Sequence, residues 1–319
     1  MHHSSAPAKV ILSGEHSVVY GYPCLVAAVD LRSEAAVEII PEGIIDVISD
    51  KLGRQSFDLT ATNTEEMSPI ASVAASAIEM AGHRGGLRIK ISSQIPMGSG
   101  LGSSASVLVS VASACSNALG LRMSSEEIAA IASKGEEKVH FRPSGVDVNI
   151  ALRGGAILYR KGRLPDSVKY PEEIKLILGY SGIPRKTGDM VKGVADFAES
   201  HRDRFEICLR SLGDITTRMS QALAENDMIE VGSMMLLNHA VLCLLGVSSE
   251  PLDKLVSSTL SSSALGAKLT GAGGGGCIVA ISTSGYEGEV EQKIKQAGGT
   301  PFVVGISKEG VRSWTDRQQ

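Results

Sequence analysis

A lysine, a glutamate and a histidine gather at the end of an apolar run near the N-terminus: Pro7-Ala8-Lys9-Val10-Ile11-Leu12-Ser13-Gly14-Glu15-His16, continuing to Tyr20-Gly21. Strand ends and the turns after them are common places for sites. A cation, a carboxylate and an imidazole so close together could move protons or grip a polar small molecule. Taken one at a time, plainer readings win: Lys9 as a stem lying on apolar surface with its ammonium in water, His16 as a hydrogen-bonded structural histidine. In Pro143-Ser144-Gly145-Val146-Asp147-Val148-Asn149, Asp147 reads equally as a base or metal ligand, or as an aspartate bonding nearby backbone N–H groups.

The strongest local signal is the segment 95–106, Ile-Pro-Met-Gly-Ser-Gly-Leu-Gly-Ser-Ser-Ala-Ser. The preceding Leu87, Ile89 and Ile91 alternate with polar residues, the period of a half-buried strand. Small residues from Ser104 to Leu119 follow with helical character, ending near Gly120. A glycine-rich turn feeding a helix start presents free N–H groups and the positive end of a helix dipole, a ready anion site. Glycines let the main chain wrap a phosphate, and Ser103 and Ser104 add hydroxyls for phosphate oxygens or a metal. A P-loop would need a lysine that is absent. A dinucleotide fingerprint would need glycine where Ser103 stands, and a nucleophile elbow glycine where Ser106 stands. The plain alternative is a flexible surface loop with a helix cap.

Glu136 is weighed by helical angle. A capping box, Ser124-x-x-Glu127, starts a helix running to about Val139. Its apolar or small stripe is Ile128, Ile131, Ala132, Gly135 and Val139. At about 100° per residue, Glu137 points away from the stripe and Glu136 sits at its edge. An inward carboxylate needs a cation or a donor. A second glycine cluster, Lys268-Leu269-Thr270-Gly271-Ala272-Gly273-Gly274-Gly275-Gly276-Cys277, precedes a strand pattern and reads as a loop pressed against something, not as a linker.

The elements around these segments alternate between strand and helix. Val10–Leu12, Leu25–Val29, 37–40 and 44–48 read as short strands, and Ile70 to Met80 as an Ala-rich helix. The prolines and charges between Lys161 and Pro171 suggest a boundary, giving domains 1–165 and 166–319. In the second half, strands are expected at 175–179, 277–281 and 302–306, and helices at 190–199, 204–225, 229–245 and 287–297. His2 and His3 are set aside, because paired terminal histidines also arise from purification tags.

The 319 residues suit two domains. Aromatics are only 4%, so aliphatic side chains must carry the packing. A net charge of −4 argues against nucleic acid or a membrane surface as partner. The five scattered cysteines form no disulfide framework or zinc pattern and fit a reducing, cytoplasmic setting. No signal-peptide core precedes them, and the longest apolar stretch, 234–247, is too short to span a bilayer and reads as a core helix.

Together, three segments (7–21, 95–106 and 268–276) resemble the three motifs of the GHMP kinases, in the same order and spread over nearly the whole chain. Gly14-Glu15-His16-Ser17-Val18-Val19-Tyr20-Gly21, Pro143-Ser144-Gly145-Val146-Asp147 and Gly182-Ile183-Pro184-Arg185-Lys186-Thr187 look most like the family's mevalonate-phosphorylating branch of archaeal or bacterial type. Two positions depart from it: Ala8 stands where Gly is frequent, and Val148 where Asn is frequent. The resemblance implies an α+β chain with an N-terminal ribosomal-S5-domain-2-like unit and a C-terminal ferredoxin-like unit. ATP and a small-molecule acceptor would lie in the cleft, and a homodimer is the candidate assembly. It further implies that Pro96, Met97, Gly98, Ser99, Gly100, Leu101, Gly102, Ser103 and Ser104 hold the triphosphate, and that Ser104 and Glu136 hold Mg²⁺. Asp147 would be the base with Lys9 beside it, and Glu15, His16, Thr187 and Gly273 would meet the acceptor. The eleven-residue step from Glu136 to Asp147 matches the family. The rivals are another member, a phosphomevalonate or sugar kinase; a nucleotide-dependent oxidoreductase; and a non-catalytic ATP-binding regulator.

Overall fold

The computed structural model describes residues 1–59, 67–138, 144–185 and 187–316. The first sheet is built on two long strands, β1 (His2–Ser13) and β2 (Cys24–Ile40). The hairpin β3 (Ile44–Ser49) and β4 (Gly53–Asp58) follows, then helix α1 (Pro69–Ala81) and β5 (Gly86–Ser93). Next come α2 (Ser103–Ala118), α3 (Ser125–Glu137) and α4 (Val146–Arg153), and the short strands β6 (Ala156–Tyr159) and β7 (Asp166–Val168). The path of this sheet is β12-β1-β2-β5-β3-β4, with β6 joining β2 and β7 joining β6. Only β3 and β5 pair in parallel among the described strands. The second sheet is antiparallel, β11-β8-β10-β9, from β8 (Lys175–Tyr180), β9 (Ala264–Thr270), β10 (Cys277–Ser282) and β11 (Thr300–Gly305). Around it lie α5 (Thr187–Ser200), α6 (Arg202–Ala224), α7 (Met228–Leu244), α8 (Glu250–Leu260) and α9 (Glu287–Gln296), and β12 (Arg312–Thr315) is the last element among the described residues.

Several local expectations change. The two short strands read at 25–29 and 37–40 are one 17-residue strand, held continuous because β1 pairs with it between Leu25 and Val37, with β6 at its start and β5 at its end. The short strand at 10–12 extends back to His2. His2 and His3, set aside above, pair with Thr315 and Trp314, and the His3 ring stacks on Trp314 with centroids 5.4 Å apart. Strand β4 is almost wholly exposed and has no apolar period, whereas α8, not among the expected helices, buries Leu252, Leu255, Val256 and Thr259 at helical spacing. Near the expected 165/166 boundary, β7 adds to the first sheet, and β12 returns to it at the far end, so the chain crosses between sheets twice. The end of α3 expected at Val139 lies outside the described residues, as do Pro143 and Lys186. The apolar stretch 234–247 is only half a core helix. Asn238 and Leu242 of α7 are buried, but Leu237 and Leu244 are 51% and 68% exposed. No helix among the described residues is long and apolar enough to cross a membrane.

Small residues set the packing of α2. Its buried face includes Ala105, Ser106, Val109, Ser110 and Ala112, so the helix lies close on β1 and β2. Ser106 and Ser110 donate to the Ala6 and Ser33 carbonyls of those strands at 2.7 and 3.1 Å. This closeness matters for the site, because the N-terminus of α2 then opens beside Lys9 of β1. Pro7 lacks an N–H for the ladder, and the β1–β2 register shifts between Pro7 and Ala8. Past that bulge, the Lys9 amide leaves the sheet and donates to the Leu101 carbonyl at 2.9 Å. The glycine-rich turn is thereby tied to the strand carrying the lysine.

Candidate active site

The turn 98–102 needs its glycines. Gly98, Gly100 and Gly102 have φ of 69°, 85° and 73°, a region costly for residues with a β-carbon. Gly102 is the N-cap of α2, so the free N–H groups of the first turn, including those of Ser103 and Ser104, face outward as an anion site. Ser99 is spent locally: its hydroxyl donates to the Pro96 carbonyl at 2.7 Å. Leu101 does not face the cavity; it is fully buried in the core, and its carbonyl receives the Lys9 amide. Of the nine residues expected to hold a triphosphate, the other eight line a cavity of about 610 Å³. Lys51, Leu52, Gln55, Pro69, Ile70 and Val107 form its far wall.

A second cavity of about 310 Å³ adjoins it. Asp147, Arg185 and Thr187 line both. Gly145 caps α4 with φ of 82°, where a β-carbon would meet the Tyr159 hydroxyl at 2.8 Å. Tyr159 in turn donates to the Ser144 carbonyl at 2.8 Å. This brace sets Asp147 in the first turn of α4, with its Oδ1 3.3 Å from the Nζ of Lys9. Lys9 is 3% exposed, so its charge acts in a poorly screened place.

Glu136 faces inward and Glu137 outward, as the helical angle predicts. The Glu136 carboxyl is 4% exposed, and burial pushes it up to about 7 against the opposing pull of a hydrogen bond with Ser104. The carboxyl and the Ser104 hydroxyl meet at the start of α2.

Around the smaller cavity, His16 has φ of 60°, a strained setting for a side chain of this size. Its Nε2–H donates to the Ala272 carbonyl at 3.0 Å, and burial lowers its pKa, so the neutral ring is favoured. Glu15 lines the same cavity, yet its carboxylate is held from behind by the buried Lys268 and by Asn238, whose Nδ2 lies 3.3 Å away. Gly273 departs from expectation. Gly271 and Ala272 line the smaller cavity, and Gly273 lines neither, because its α-carbon is pressed against Val247, where a β-carbon would meet the carbonyl at 1.9 Å. The second glycine cluster therefore reaches the smaller cavity directly and the larger one only from behind, Gly276 packing on the Ser99 carbonyl.

Arg185, from the segment 182–187, borders both cavities. Its amide donates to the Gly98 carbonyl at 3.3 Å. β-Carbons on Gly100 and Gly271 would stand 3.0 and 2.6 Å from its guanidinium. It thus lies between the two glycine loops. An arginine just before a helix start, in a segment already suspected, was the available signal. Away from the cleft, His239, Cys243 and Asp253 bring ligand-type atoms within 4.8 Å. However, His239 Nδ1 accepts the Leu269 N–H at 3.4 Å, which places the neutral ring's proton on Nε2, facing the other two. The trio is a hydrogen-bonded surface cluster.

Known proteins resemble this chain over its whole length. The family model described as "GHMP kinases N terminal domain" matches residues 69–155, and "GHMP kinases C terminal" matches 219–300. A mevalonate kinase of Pyrococcus abyssi is 36% identical over 326 residues, covering 97% of this chain and 96% of the relative. The crystal structure of Methanococcus jannaschii mevalonate kinase superposes with a TM-score of 0.83 at 25% identity, over 95% of this chain and 98% of that one. The L. major mevalonate kinase, solved in complex with R-mevalonate, superposes with a TM-score of 0.80 at 24% identity, over 95% and 94%. Three motifs in order around one two-chambered cleft, and kinship over the whole length, have one account: the chain belongs to the GHMP kinase family and, within it, to the mevalonate kinases.

Proposed function

We propose that this chain transfers the γ-phosphoryl group of ATP to the 5-hydroxyl of (R)-mevalonate, giving 5-phosphomevalonate and ADP for isoprenoid synthesis. The observation that carries the reading is the Lys9–Asp147 ion pair, 3.3 Å apart, at the wall where a nucleotide-sized cavity meets a smaller one. In-line phosphoryl transfer is mostly positioning and charge stabilisation, and that wall is where the attacking oxygen and the γ-phosphorus must meet. Asp147 accepts the hydroxyl proton. Lys9 steadies the negative charge that grows on the attacking oxygen. The turn 98–102 and the first N–H groups of α2 hold the triphosphate, and Arg185 reaches it from between the glycine loops. His16, Thr187 and Ala272 shape the acceptor side.

The residues present fit a divalent cation. A buried carboxyl raised to about 7 gains by meeting a cation, and Ser104 supplies a hydroxyl oxygen beside it, a hard oxygen set of the kind Mg²⁺ takes. Ser104 and Glu136 would hold Mg²⁺, which neutralises phosphate charge when bound. A panel of acceptors in a coupled ADP-release assay tests the reading. Turnover is expected with mevalonate and not with phosphomevalonate or galactose; turnover with a sugar and none with mevalonate would overturn it.

A further inference from the structure

The turn that carries Glu15 and His16 is gripped from behind by the second half of the chain, through side chains that touch no substrate cavity. Asn238, in the middle of α7, is fully buried. Its Oδ1 accepts from the Ser13 hydroxyl at 2.7 Å, and its Nδ2 donates to Glu15 Oε2 at 3.3 Å. Only this amide orientation works, because the flipped one would set a carbonyl oxygen against a carboxylate. Ser13 also lies 2.7 Å from the Thr216 hydroxyl of α6. The Thr216 hydroxyl also lies 2.6 Å from the Leu212 carbonyl, to which it donates; the Ser13 proton is directed at Asn238, so the chain Ser13→Asn238→Glu15 runs one way and ends on the carboxylate.

On the other carboxylate oxygen sits Lys268, fully buried. Its ammonium donates to Glu15, to the Leu269 carbonyl at 2.6 Å and to the Ile11 carbonyl at 3.5 Å. Three donors thus find three acceptors. Both Glu15 oxygens are occupied from the rear, so this carboxylate acts as a strut between the second sheet and the turn. The next residue is His16, held at φ of 60° and hydrogen-bonded to Ala272. A backbone this strained persists only where its surroundings over-determine it.

We propose that Asn238 is a positioning residue for the acceptor: through Glu15 it keeps the His16 turn in the geometry that the smaller cavity requires. The proposal rests on the reading of that cavity as the acceptor's. Hydrogen bonds to charged groups in dry surroundings are strong, and an unmet partner there is costly. The effect should fall on the acceptor side, because the nucleotide loop is anchored separately on Lys9 and Arg185.

The test uses Asn238→Leu, close in shape without the amide, and the milder Ser13→Ala, should the first fail to fold. In steady-state assays KM for mevalonate should rise on the order of tenfold in Asn238→Leu, with KM for ATP within about twofold, a split that general destabilisation would not produce. The exchanged pair Glu15→Gln/Asn238→Asp keeps one amide and one carboxylate in the contact and should recover part of the loss relative to Asn238→Asp alone. A second readout needs no acceptor. In ¹⁵N-histidine spectra of the free enzyme, assigned with His16→Gln, the His16 Nε2–H should exchange slowly with solvent in wild type and faster in Asn238→Leu and Ser13→Ala. Unchanged exchange in folded variants would overturn the proposal, as would equal rises in both KM values. Wild-type enzyme without mevalonate turnover would instead overturn the proposed function, and the exchange measurement would still decide the role of Asn238.

Discussion

A β-carbon on Gly102 would stand 2.7 Å from Cγ of Lys9 and 3.6 Å from Oδ2 of Asp147, so the missing side chain of one motif makes room for the charged pair of two others. Gly102→Ala should therefore displace the pair and also strain a position with φ of 73°. Turnover should fall by about 10- to 100-fold, the scale of a 1.4–2.7 kcal/mol misplacement. Thermal stability should drop by about 1–2 kcal/mol. Full activity in a folded Gly102→Ala protein would show that the turn and the pair are independent.

Removing the proposed base separates chemistry from binding. Asp147→Asn keeps the shape and removes the charge, and kcat should fall by about 10²–10⁴, the usual worth of general base catalysis. Nucleotide affinity, measured by calorimetry with a non-hydrolysable analogue, should stay within a few fold. A mutant with wild-type kcat would end the assignment.

Arg185 touches both glycine loops, so its planar fork should matter beyond its charge. Arg185→Lys retains the cation but loses simultaneous reach to the two loops. KM for ATP and for mevalonate should both rise several-fold, with kcat reduced about tenfold or more. An effect confined to one substrate would place the guanidinium on that side alone.

In its proposed role as a Mg²⁺ ligand, Glu136 would tie pH to metal use. Its carboxyl titrates near 7 in the free protein, raised by burial, and only the anion can ligate a cation. Binding of the Mg²⁺–nucleotide complex should weaken as pH falls from 8 to 6, and Glu136→Gln should bind weakly with a flatter profile. The stability effect has the opposite sign. The folded state holds this proton up to about 7 and the unfolded chain releases it near the ordinary glutamate value, so the free enzyme loses stability as pH rises through that window. Glu136→Gln should then be more stable than wild type at pH 8 by up to a few kcal/mol, with a smaller difference at pH 5. Denaturant titrations at the two pH values without metal check this, and a Gln variant less stable at pH 8 would refute it.

What the sequence determined alone was chemistry carried by short-range pattern. Gly98, Gly100 and Gly102 ahead of a helix announced a glycine turn at a helix start, because positive φ and a helix N-terminus are local properties. The period of α3 turned Glu136 inward, because side-chain direction on a helix follows from spacing. Pairings between distant residues left no such mark. That Lys268 and Asn238 would close on Glu15, that Gly273 would be consumed by Val247 while Ala272 met the cavity, and that β12 would return beside His2 were decided only by tertiary structure. Burial and long-range hydrogen bonding depend on which surfaces meet, and one strand's own residues do not specify the partner that will lie against them.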